Sequence, residues 1–215
     1  MNKLRLQYSK TGRAKYISHL DLMATMQRAF IRAGTNLKYS EGFNPHPYMS
    51  VALPLSVGCE SVCELIDVGI ADDIIPDISS ILLPDGITIL RAYKANRKFN
   101  EIAWIEISGK MLFNEKVTSD RMADIEKKFF AESIIISKRT KRGNKELDLA
   151  PYLKNFVFKG TDEDCENILF SARIHAQNPS INAADLMNVI DEKYKPDFIA
   201  MKRIAIYDTD MIEFL

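Results

Sequence analysis

S-H-L-D-L-M-A-T-M-Q-R-A-F-I-R-A-G, from Ser18 to Gly34, and Y-S-E-G-F-N-P-H-P-Y-M-S-V-A-L-P, from Tyr39 to Pro54, form the stretch whose reading decides the fold. Ser18 is a favourable helix N-cap, and Asp21 three residues on places an acid in the first turn. Leu22, Met26, Ala29, Phe30 and Ala33 then recur on one helical face, while Asp21, Thr25, Arg28 and Arg32 share the opposite one. Gly34 suits the position just past a helix end, where left-handed backbone is needed. The spacing therefore predicts a capped helix that feeds a loop shaped by Gly42, Pro45 and Pro47. Residues 48–55 behind the loop read as a strand.

Outward from this stretch the same logic gives a repeating order. Leu4, Leu6 and Tyr8 alternate, as a half-buried strand requires. Residues 62–70 read as the hairpin partner of 48–55, residues 74–83 as a short helix with Pro76 in its first turn, and 87–95 as a further strand. This β-α-β-β-α-β order is the ferredoxin-like arrangement. It begins again after residues 96–101: a strand at 102–107, a helix at 119–132, strands at 134–137, 146–149, 156–159 and 168–175, a helix at 182–194 and a strand at 198–207. The expected fold class is α+β with two tandem ferredoxin-like domains, 1–97 and 98–215, the second carrying a basic hairpin as an insertion.

A chain of 215 residues with 47% hydrophobic and 27% charged residues has ordinary globular composition. Its zero net charge is unevenly placed. Residues 1–50 hold eight Lys and Arg against two acids, a balance of +6, whereas 51–90 hold seven acids and no Lys or Arg. Such asymmetry shapes the field that a partner meets. The N-terminus lacks the apolar core of a signal peptide, and no apolar run approaches the length of a membrane span. A cytoplasmic chain with no membrane contact is expected. In that compartment Cys59, Cys63 and Cys165 do not suggest a disulfide framework. With Cys165 far off and no His neighbours in sequence a zinc site is not expected, and no third cysteine follows at C-x3-C-x2-C to hold an iron–sulfur cluster in the radical SAM manner. No metal and no cofactor are expected.

Each candidate site residue carries two readings. His19 and His46 could line one site as acid or base. The helical projection instead turns His19 toward the Met26 and Phe30 side, and His46 between two prolines is the better placed of the two. Arg28 and Arg32 are either a solvated helix face or a cationic stripe. With Lys38, Tyr39, Phe43 and Tyr48 they have the mixture of cations and rings that single-stranded RNA binding uses. The hairpin tip with Lys138, Arg139, Lys141 and Arg142 is either a solvated turn or a phosphate-contacting finger. Ser40-Glu41-Gly42 lacks the ending of a P-loop.

The runs Y-I-S-H-L-D-L-M (16–23), R-A-F-I-R-A-G (28–34), Y-S-E-G-F-N-P-H-P (39–47) and A-L-P-L-S-V-G (52–58) resemble the radical SAM-associated protein family, a domain of unknown function that stands alone or is fused behind radical SAM enzymes. E-L-D-L at 146–149 fits that family's second half. The resemblance implies a companion of a radical SAM enzyme rather than its catalytic domain, and it carries over no catalytic residue. The doubled strand order is also similar in shape to that of CRISPR-associated RNA-processing proteins, although residues 198–215 contain no glycine and so lack their Gly-rich loop. The expected function is an RNA-binding accessory protein for tRNA or rRNA modification or processing. The alternatives are a metal-independent endoribonuclease using His46 or His19, and a module whose acidic 51–90 face docks the enzyme.

Overall fold

A computed structural model describes residues 3–71, 75–140 and 143–215 of the chain. The chain divides into two compact units, Met1–Glu101 with Leu215, and Ile102–Phe214. Among the described residues, sheet dominates and helices are few, in a mixed α and β fold.

The first unit is built from β1 (Lys3–Lys10), α1 (His19–Arg32), β2 (Met49–Val51), β3 (Glu60–Gly69) and β4 (Ile87–Lys94). Its strands lie in the order β4-β1-β3-β2, with each neighbouring pair antiparallel. Ser18 caps α1 as expected: its hydroxyl accepts from the Asp21 backbone N–H at 3.2 Å and donates to the Asp21 carboxylate at 2.7 Å. Leu22, Met26, Ala29 and Phe30 are buried against Leu4, Leu6, Tyr8, Ile66 and Val68. Full burial of Met26 and Phe30 contributes on the order of 1.5–3 kcal/mol each. Gly34 takes φ +71° just beyond the helix, and the Thr35 N–H returns to the Phe30 carbonyl at 3.1 Å. The predicted stop therefore has the backbone geometry for which glycine is suited.

The second unit contains β5 (Ile102–Leu112), α2 (Ser119–Phe129), β6 (Ile135–Thr140), β7 (Gly143–Asp148), β8 (Leu153–Thr161), β9 (Asn167–His175), α3 (Ala183–Met187) and β10 (Phe198–Asp208). Its main sheet runs β10-β5-β9-β8, antiparallel throughout, and β6-β7 stands apart as a hairpin. Strict alternation of buried and half-buried residues in β9 turns Ile168, Phe170, Ala172 and Ile174 to the core. There Phe156 stacks on Phe170 at 5.2 Å and on Phe129 of α2 at 4.5 Å.

Three expected elements are different in the structure. Residues 74–83 do not form the expected helix: the described part holds only a 3-10 turn at Ile78–Ser80. Asp77 accepts from the Ser79 N–H at 2.9 Å, a local bond that competes with helix formation. The helix expected at 182–194 stops at Met187. Asn188 follows it as the cap and donates its side-chain amide to the Ser137 carbonyl, and Glu192–Tyr194 is a separate 3-10 turn. The strand expected at 48–55 shrinks to Met49–Val51, between Pro47 and Pro54, neither of which has an N–H for the ladder.

Candidate nucleic-acid interface

Residues 38–48 leave α1 and form a pinned finger rather than a loose loop. At its root the Lys38 N–H donates to the Gly69 carbonyl at 2.9 Å, the Tyr48 N–H to the Lys38 carbonyl at 2.9 Å, and the Gly69 N–H to the Tyr48 carbonyl at 2.7 Å. Gly69 allows this approach, because a Cβ there would come within 2.9 Å of the Tyr48 Cβ. Higher up, Tyr39 bridges Pro47, the Ser40 N–H donates to the His46 carbonyl at 2.8 Å, and the His46 N–H donates to the Ser40 hydroxyl at 3.0 Å. Gly42 takes φ +120° in the tip, a conformation closed to most side chains.

The result is a backbone-braced finger whose tip residues, 41–46, are all exposed. Phe43 is fully exposed, and Tyr39, Tyr48, Lys38 and His46 are exposed beside it in sequence. A small cleft of about 110 Å³ opens at the root, lined by Lys3, Tyr48, Met49, Ser50, Asp67 and Gly69.

One of the two histidines is placed differently from the projection. His19 is exposed, not turned to the core. It lies on the angular stripe of Met26 and Phe30, but in the first turn, and the buried part of α1 starts only at Leu22. His46 is exposed on the finger and closes it through its backbone groups. Arg28 is exposed, whereas Arg32 donates to the Leu82 carbonyl at 2.9 Å and so fastens the end of α1 to the segment before β4.

The basic hairpin divides in the same way. Lys138 is engaged inside its own unit: its ammonium lies 2.6 Å from the Asp185 carboxylate and 2.6 Å from the Ser180 carbonyl. Arg139 lies in β6, and Lys141 and Arg142 lie outside the described residues. The acidic run at 51–90 is not one exposed face. Glu64 and Asp67 are buried, and Asp67 is bound to Arg5.

Polar groups that sequence reasoning passed over sit deeper. Lys10, 1% exposed, donates to the Ile17 carbonyl at 2.6 Å, and burial pushes its pKa down. In the second unit Arg173 and Tyr207 both donate to Oε2 of Glu106, at 3.0 and 2.9 Å, and the Arg173 guanidinium stacks over the Tyr207 ring at 4.3 Å. Burial opposes ionisation of Glu106, but these two hydrogen bonds outweigh it and hold the carboxyl below its ordinary range. The signal for this network was period-two alternation in residues 167–175, which places Ser171 and Arg173 on the face opposite Phe170 and Ala172.

A family model described as an uncharacterized protein conserved in bacteria (DUF2344) matches residues 3–182. The chain belongs to this family. The finger and α1 fall wholly inside the DUF2344 match, as do the Glu106 and Arg173 positions, whereas β10 with Tyr207 lies beyond it. No curated protein matches the chain. Among solved structures, a Cbf5-Nop10-Gar1 complex is similar with a TM-score of 0.51 at 11% identity, over 93% of this chain and 47% of that one. The archaeal box H/ACA sRNP Nop10-Cbf5 complex gives 0.49 at 10% identity, over 93% and 46%. This chain thus spans about half the length of the chains it matches there, and the first likeness is one of fold alone. Thermus thermophilus Cse3 bound to RNA gives only 0.22, at 11% identity over 93% and 98%, too low to carry an argument. No helix of the described residues is long and apolar enough to cross a membrane.

Proposed function

We propose that this chain is an RNA-binding accessory protein that works with a radical SAM enzyme in tRNA or rRNA modification or processing. The observation that carries the reading is the finger at 38–48. A wholly exposed phenylalanine is costly to leave in water. Here the backbone is braced so that Phe43 is displayed, with Tyr39, Tyr48, Lys38 and His46 near it in sequence. Rings for base stacking and cations for phosphate are the requirements of a single-stranded RNA contact. The radical SAM partner follows from the family resemblance of the motif runs, and each unit is read as a ferredoxin-like variant. The orders β4-β1-β3-β2 and β10-β5-β9-β8 support that reading, with a 3-10 turn in place of the second helix of the first unit and the β6-β7 hairpin inserted in the second.

Fluorescence anisotropy with labelled tRNA tests the RNA contact. Binding is expected at low salt and weakens as salt rises, because the phosphate contribution is electrostatic. Phe43→Ala removes one stacking platform worth about 1–3 kcal/mol, so affinity falls roughly 5- to 150-fold. Lys38→Ala lowers the salt dependence. Absence of binding at low salt overturns the proposal. Co-purification of a radical SAM enzyme from nuclease-treated extract tests the partner separately.

A further inference from the structure

The open face of the second unit's sheet gathers cations that the finger does not use. Cross-strand register decides which residues share it, since directly opposed residues project to the same side. Lys202 lies opposite Ser108, Ser108 opposite Ser171, and Ser171 opposite Val157. One row along, Glu106 lies opposite Arg173, and Arg173 opposite Lys154. Lys110 lies opposite Leu169. The other side of the same strands is the core, with Ile105, Ile107, Phe170, Ala172 and Ile174 buried. Ser108, Lys154, Val157 and Lys159 are exposed. Lys159 lies two residues beyond Val157 in β8 and so projects to the same side, away from Phe158 and the core.

Two acids on this face are matched: Glu106 is held by Arg173 and Tyr207, and Asp162 lies 3.1 Å from the Lys110 ammonium. Glu213, opposite Tyr207, adds one exposed carboxylate at its edge. Arg173 donates to Glu106 and lies over the Tyr207 ring. Lys154 sits over the Trp104 ring at 4.2 Å. Exposed hydroxyls of Ser108 and half-buried Ser171 lie between the cations. Arginine, lysine and serine side chains are the groups that contact phosphate and sugar oxygens without reading sequence.

We propose that this open face, through Lys154, Lys159, Arg173 and Lys202 with Ser108 and Ser171, binds the phosphodiester backbone of RNA. It rests on the RNA-binding reading above and adds a second contact that positions the strand without reading its bases. The chain has one tryptophan, and it lies under Lys154, so its emission reports on this face.

A 20-nucleotide single-stranded RNA, labelled for anisotropy, is titrated into the full chain at several salt concentrations while Trp104 emission is followed. The variant Lys154→Ala/Lys159→Ala/Lys202→Ala changes three surface cations. Each phosphate contact on a single strand contributes about 0.7 to the slope of log K against log salt, so the slope falls by about 2. RNA shifts Trp104 emission in the wild type and in Phe43→Ala alike, and the corresponding triple Lys→Arg variant keeps the slope. RNA binding with an unchanged slope in the triple Ala variant, or with no Trp104 response, overturns this inference and leaves the RNA-binding reading standing. Absence of RNA binding by the wild type overturns both. An acidic peptide that binds this face while the RNA does not identifies a protein partner instead and also overturns it.

Discussion

Removing the carboxylate of Asp67 isolates a charge in the first unit's interior. Arg5 is 0% exposed, and its guanidinium bonds Asp67 at 2.7 and 3.0 Å, the Arg97 carbonyl at 2.7 Å, and lies 4.3 Å from the Phe99 ring centre. A buried pair gains little net stability because desolvation offsets attraction, but breaking one leaves an uncompensated ion and costs about 3–5 kcal/mol. Asp67→Ala is expected to lose that much. Arg5→Met with Asp67→Leu removes both charges and should recover most of it, since no ion is then left to desolvate. Hydrogen exchange at the amides of β1 and β3, which pair through Arg5 and Asp67 themselves, measures the effect directly. At about 1.4 kcal/mol per tenfold, exchange through global opening should quicken some 10²- to 10⁴-fold in Asp67→Ala. A loss under about 1 kcal/mol, or a double variant no more stable than Asp67→Ala, refutes the reasoning, because the pair would then be neither well desolvated nor tightly coupled.

Three further outcomes are expected. Gly109 in β5 lies directly beneath the Phe170 ring, and a Cβ there would fall inside the ring's van der Waals envelope. Gly109→Ala should therefore cost about 1–3 kcal/mol or more in urea denaturation, and adding Phe170→Leu should relieve part of it. Asp148 accepts from the Ile134 and Ala150 N–H groups at 2.8 and 3.0 Å and from the Ser133 hydroxyl at 3.0 Å, and the backbone bonds hold its pKa below the ordinary value. Its stabilisation is present above about pH 4 and is lost as pH falls through the depressed value. Asp148→Asn should thus melt lower than wild type at pH 7, with the gap closing in acid. Lys138→Met leaves the buried Asp185 carboxylate without its ammonium. It should destabilise the second unit by about 1–3 kcal/mol, discounted for the partial exposure of Lys138, while leaving the salt dependence of RNA binding unchanged.

Which parts were legible follows from the range of the forces involved. α1 was readable because its cap, its apolar period and its terminal glycine are all local, and they agree. The finger's turn residues were also readable: Gly42, Pro45 and Pro47 restrict the backbone wherever they occur. His19 was misplaced because a helical wheel has no ends. The stripe it shares with Met26 is buried only from Leu22 onward. Residues 74–83 misled for a similar reason. Their apolar spacing suits a helix, yet Asp77 caps only a single 3-10 turn, and Ile81 is buried without one.

By itself the sequence determined the chemistry available to the protein: a capped amphipathic helix, a proline- and glycine-braced loop bearing rings and cations, and strands with one polar face. It did so because caps, turns and periodicity act over four or five residues. Only the tertiary structure decided which of those charges face solvent. Arg5 and Asp67 are 62 residues apart and meet inside the first unit, and Lys138 reaches Asp185 across 47. Lys154, Arg173 and Lys202 reach one face through strand register alone. Pairing between distant strands, and the cost of burying an ion without its partner, sort the cations into those that hold the fold and those left exposed.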